Sequence, residues 1–170
     1  MANVHYRPIA DIRVSTHKLP MPMPTTVIRW TPADQTPELP LSAFDLTWSA
    51  DGQLICKGVY PRKLIAPVRG IVISFDDPHA FMSFEEYSDY LEGMELVVPE
   101  LAASVPYGGC WPFVEVLGSP WLVEVAARNV ILEASELRHW AILTRNQTLH
   151  VMTNASSTPT FVGWLEEGAD

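Results

Sequence analysis

Between Gly70 and Ala127 the chain has no lysine and no arginine, yet ten aspartates and glutamates lie in that interval. A net charge of −9 and a pI near 4.9 leave no basic cluster able to neutralise a phosphate backbone, so direct nucleic-acid binding is not expected. Cysteine is scarce. Cys56 and Cys110 are far apart and lack metal-type spacing, which excludes a disulfide framework or a zinc finger and favours two reduced thiols. No apolar run approaches the roughly 18 residues of a membrane-spanning helix. The first residues carry Arg7, Arg13 and Lys18 without the apolar core of a signal peptide, so the expectation is a soluble cytoplasmic protein. Phosphate-loop, dinucleotide-fingerprint, zincin and nucleophile-elbow motifs are all missing, and no cofactor is expected. No repeat of 20 to 50 residues is visible.

What is present suits a single globular domain over residues 1–170, with 48% hydrophobic side chains. Six prolines between residues 19 and 40 predict an extended segment wrapped on the domain, because proline lacks an amide donor and biases its predecessor towards extended geometry. Within it, TTVIRW (25–30) reads as a short strand, either at a sheet edge or ending where Pro32 stops pairing. FDLTWSADGQLICKGVY (44–60) reads as a hairpin, since Asp51-Gly52 supplies the positive φ angles of a tight turn between two alternating runs. GIVISF (70–75) is short, β-branched and bounded by Gly70 and the Asp76-Asp77-Pro78 turn, as a buried strand would be.

A helix is predicted over 83–92. Ser83 and Glu86 have capping-box spacing, Gly93 can close the C-terminus, and Phe84, Tyr87, Leu91 and Met94 recur at offsets of three and four. From Pro112 the pattern becomes a predicted meander of PFVEV, WLVEVAA, NVILEA, LRHWAILT, TLHVMT and TFVGWLE. The valines of WLVEVAA favour a strand, while Ser119 as cap with Pro120 in the first turn would make a helix. The hairpin across Asn146-Gln147 has two apolar faces, one with Trp140, Ile142, Leu149 and Val151 and the other with Leu143, His150 and Met152, and is expected at the centre of a sheet. The fold class expected is α+β: a mainly antiparallel sheet with a C-terminal meander, one principal amphipathic helix and a proline-rich extended N-terminal segment.

Candidate chemistry is sparse. Asp76, Asp77 and His79 could offer oxygen and nitrogen ligands to a divalent ion, but their spacing matches no closed site, and a strand-ending turn accounts for them. Cys110 follows Gly108-Gly109 among Tyr107, Trp111 and Phe113, a setting expected to bury the thiol and make it a poor nucleophile. His139 and His150 lie on predicted strands, as structural histidines do; a ligand pocket or enzyme site among Trp111, Trp121, His139 and His150 is the alternative.

The charge distribution is the strongest feature. Residues 1–69 carry eight basic and five acidic side chains, 70–127 none and ten, and 128–170 three and five, so the middle segment alone exceeds the whole net charge. Glu85 and Asp89, and Glu86 and Asp89, are like-charge neighbours at helical spacing, which costs stability rather than adding it. Such a face either keeps the chain in solution or attracts a cationic partner. The expectation is a protein-binding module of inhibitor or immunity type. It would dock a basic toxin or enzyme through an acidic face over 76–100, with Glu85, Glu86, Asp89, Tyr90 and Glu92 in contact. A homo-oligomer is a third possibility.

Overall fold

A computed structural model describes residues 24–63, 68–85, 96–105, 109–129 and 131–166. These residues form an α+β fold of mostly antiparallel strands: β1 (Thr26–Arg29), β2 (Ala43–Trp48), β3 (Gln53–Val59), β4 (Gly70–Asp76), β5 (Ala80–Glu85), β6 (Phe113–Leu117), β7 (Leu137–Leu143), β8 (Gln147–Asn154) and β9 (Thr160–Leu165), with the helix α1 (Pro120–Arg128). Five strands make one sheet in the order β1-β6-β7-β8-β5, and four make another in the order β2-β3-β4-β9. No helix among the described residues is long and apolar enough to cross a membrane.

The expected hairpin forms, with Trp48 opposite Leu54, but through the four-residue loop 49–52 in which Gly52, at φ +79°, has the positive angle and Asp51 does not. β4 pairs with β3, and Gly70 lies opposite Val59 in a contact that only glycine tolerates: a Cβ there would stand 2.2 Å from the Gly58 carbonyl oxygen. Leu54, Cys56, Ile71, Ile73 and Phe75 project from this sheet into a core shared with Phe113, Trp140, Ile142, Leu149 and Val151 of the five-stranded sheet. Each such side chain contributes roughly 1.5–3 kcal/mol through burial, so the sheet-to-sheet contact dominates the hydrophobic stabilisation.

The β7–β8 hairpin is central, as its two apolar faces require. Trp140 pairs with Val151 and Ile142 with Leu149 on the inner face, while Leu137 and Met152 on the outer face are covered by Leu122, Trp121 and Val125 of α1. β1 is an edge strand, the first of the two expected placements, and Trp30 and Leu39 beyond it pack against the core. Residues 19–23 of the proline-rich segment lie outside the described residues.

Three sequence expectations are corrected. Ser83, Phe84 and Glu85 do not begin a helix: they belong to β5 and pair with Leu149, Thr148 and Gln147 of β8. Residues 86–92 of that expected helix lie outside the described residues. WLVEVAA is helical, not a strand. Pro120 occupies its first turn and Arg128 its last, and β6 already has β1 and β7 on its two edges, which leaves no edge for another strand. The meander is also interrupted: Ala134–Glu136, within NVILEA, is a 3-10 turn with reciprocal Glu133 and Glu136 caps, and β9 leaves the five-stranded sheet to pair with β4.

Candidate functional site

The crossing between the sheets gathers the acidic residues of the Asp-Asp-Pro turn against the hairpin tip. Asp76 ends β4, opposite Gln53, and its Oδ1 accepts hydrogen bonds from Gln53 Nε2 at 2.8 Å and Ser74 Oγ at 3.2 Å. Asp77 adopts φ +43°, a left-handed conformation that aspartate tolerates better than most side chains, and its Oδ1 faces Gly52. Both carboxylates are exposed, as is Asp51 in the turn. His79 Nε2 donates to Asn154 Oδ1 at 2.9 Å. Asp76, Asp77 and His79 therefore serve the turn, and no group of three or more metal-ligating side chains assembles among the described residues.

Beside this turn two aromatic rings meet in solvent. Trp48 ends the edge strand β2, Phe81 lies near the start of the edge strand β5, and their rings stack with centroids 5.9 Å apart and planes 26° from parallel. Both belong to inward-facing rows, Trp48 with Phe44 and Leu46, and Phe81 opposite Val151. They nevertheless remain 54% and 45% exposed, because they sit where the sheets part. Glu85 closes β5 at its other end, exposed, roughly 17 Å from Ala80 at an extended rise per residue. The described acids of the 76–100 interval are thus scattered: Asp76 and Asp77 precede β5, near the aromatic pair, Glu85 ends it, and Glu100 lies elsewhere, bridged to Cys110. Of the expected contact residues only Glu85 is described; Glu86, Asp89, Tyr90 and Glu92 lie outside the described residues. Neither Trp48 nor Phe81 is among the contact residues expected from sequence, although Phe81, like Phe84, Tyr87 and Tyr90, interleaves with the acids there; for Trp48 the available signal is an aromatic in the last position of a predicted strand beside Ser-Ala-Asp-Gly.

One acid of the middle segment is neutralised from the C-terminal third. Arg138 Nε and Nη2 donate to the two Glu115 oxygens, each at 2.8 Å, and the guanidinium lies 4.3 Å from the centroid of the Trp140 ring. That hydrogen bonding, reinforced by the charge of Glu115, pushes the Arg138 pKa above its usual value despite the opposing effect of burial.

The two strand histidines are fully buried and bonded to each other: His139 Nε2 is 2.8 Å from His150 Nδ1, and His139 Nδ1 is 2.8 Å from Ser119 Oγ. Ser119 stands at the N-cap position of α1, but its hydroxyl serves His139 and makes no capping bond. Trp121 and Phe84 approach the two imidazoles edge-on. Trp111, in contrast, is buried in the inner core with its Nε1 donating to the Trp30 carbonyl. The expected pocket among Trp111, Trp121, His139 and His150 is therefore divided between the two sides of the five-stranded sheet.

Both cysteines are free. Cys56 is buried, and burial, with Asp45 adding to it, pushes its thiol far up. Cys110 is exposed, contrary to the expectation of burial; partial desolvation and then the Glu100 carboxylate push its thiol up as well. Neither is an activated nucleophile.

No protein-family model matches the sequence, and neither a curated protein nor a solved structure matches it.

Proposed function

We propose that this chain is an acidic protein-binding module, most concretely a cytoplasmic inhibitor or immunity-type protein that docks a cationic partner and blocks it by occlusion. The observation that carries this reading is the exposed Trp48–Phe81 stack, with the exposed Asp51 three residues after Trp48, the exposed Asp77 four residues before Phe81, and Glu85 at the far end of β5. An arginine or lysine of the partner would find an aromatic face to lie on and a carboxylate to pair with, the combination that concentrates binding energy at protein interfaces. The surplus of negative charge in residues 70–127 would attract the same partner at longer range and speed its arrival. Glu86, Asp89, Tyr90 and Glu92 extend this contact set in sequence.

The test is paired capture from native cell extract, using immobilised wild-type protein and a Trp48→Ala/Phe81→Ala twin with an unchanged circular dichroism spectrum. The expected result is a basic protein released by salt and retained at least about tenfold less by the twin. Equal recovery by both, or a wild-type partner without excess basic charge, overturns the reading.

A further inference from the structure

Among the described residues the two sheets have four edge strands, and three of them carry features that discourage pairing with another chain. β1 has only four residues, lies between Pro24 and Pro32, and ends in Arg29, which pairs with Glu38 and stacks on Trp111. β2 carries the exposed Asp45 in its interior. β9 contains Gly163, and its register against β4 shifts between Val72 and Ile73.

β5 has none of these. Its sequence AFMSFE places no proline, glycine or charge before the final residue, and its register with β8 runs unbroken from Ala80 to Glu85. Among the described residues no strand pairs with its outer edge. Phe81 and Ser83 are exposed on the same face as Glu85, and the Trp48 ring extends the apolar surface at Phe81.

We propose that β5 receives an extended basic segment of the partner as an added strand of the five-stranded sheet. This rests on the docking function proposed above and specifies its mode. Backbone hydrogen bonds along the free edge would supply register-independent affinity, and side chains would supply selectivity. The charges select the occupant: carboxylates at Asp77 and Glu85 flank the strand, so the matching segment is about six residues long, cationic at both ends and uncharged between. An uncharged side chain next to one of the terminal cations meets Phe81, and the terminal cations reach the two acidic ends.

The experiment uses the whole protein and the capped peptide Arg-Thr-Val-Thr-Val-Arg, monitored by tryptophan fluorescence and by amide exchange of residues 80–85. Two further peptides carry N-methyl groups on alternate residues in the two possible phases, which preserves charge but removes the donors of one edge. Strand addition predicts protection of β5 amides by the parent peptide and a loss of at least about tenfold in affinity for one N-methylated phase only. If both N-methylated peptides bind as well as the parent, attraction is by charge alone: strand addition is overturned and the docking function stands. If the parent does not bind, or if the protein is a dimer that the peptide leaves intact, the edge is not available to a basic segment and the proposal fails. Paired capture then judges the docking function separately.

Discussion

Trp48 and Phe81, from edge strands of different sheets, stack across the gap between them. A stacked aromatic pair is worth about 0.5–1.5 kcal/mol beyond the area it buries, and here roughly half of each residue remains in solvent. A pair kept only for stability would be more deeply covered.

Trp48→Ala should accordingly lower the unfolding free energy by only about 1–2 kcal/mol, whereas Trp140→Ala, which empties a buried site in the shared core, should cost about 3–5 kcal/mol. Urea denaturation followed by far-ultraviolet circular dichroism distinguishes them. A loss as large for Trp48 as for Trp140 would assign Trp48 to the core and remove it from the docking surface.

His139→Ala should cost about 2–4 kcal/mol, because it leaves a cavity and deprives both Ser119 Oγ and His150 Nδ1 of a bonding partner in a buried setting. Binding of the cationic partner by the folded fraction should be unaltered. Comparing denaturation midpoints with partner affinity checks both parts, and a stable His139→Ala protein that no longer binds would move the site to the imidazole pair.

Arg138→Met should destabilise by about 1–3 kcal/mol, since Glu115 would keep its charge while largely buried and lose a bidentate partner. Adding Glu115→Gln should recover part of the loss. A double-mutant cycle in denaturant measures the coupling, and additivity of the two changes would contradict it.

Alkaline pH should unfold the protein through Cys56 and Tyr60. In the unfolded chain these titrate near 9.0 and 10.0, and burial pushes both folded values far up. The folded state therefore holds protons that the unfolded state releases. Their stabilising effect is complete below about pH 9 and declines as pH rises through 9 and 10. Denaturation midpoints in a Cys56→Ala/Tyr60→Phe protein should fall less steeply across that window than in the wild type. The Tyr60 hydroxyl is buried with no hydrogen-bond partner among the described residues, so the phenylalanine itself should cost little.

The parts of this fold that were legible in sequence are those where local chemistry and pairing agree. Asp51-Gly52 admits a tight turn, GIVISF has nothing polar enough to stay outside, and the two apolar faces of LRHWAIL and TLHVMT allow only a central position. The expected helix misled because Ser83 and Glu86 imitate a capping box, although Ala80, Met82 and Phe84 alternate with Phe81, Ser83 and Glu85 just as a strand requires. Pairing with β8 decides in favour of the strand. For WLVEVAA the valines pointed to a strand, and the occupied edges of β6 exclude it. The excess of acids was visible in the sequence. The aromatic pair beside them was not, because it joins residues 33 positions apart through the meeting of two sheet edges.

The most direct measurement of the central claim is the association rate with the captured basic partner across a range of salt concentrations, for wild type and for Asp77→Asn/Glu85→Lys. The account predicts that the double substitution slows association at low salt by about tenfold and flattens the salt dependence, with the fold intact. Identical rates and identical salt slopes for the two proteins would contradict it.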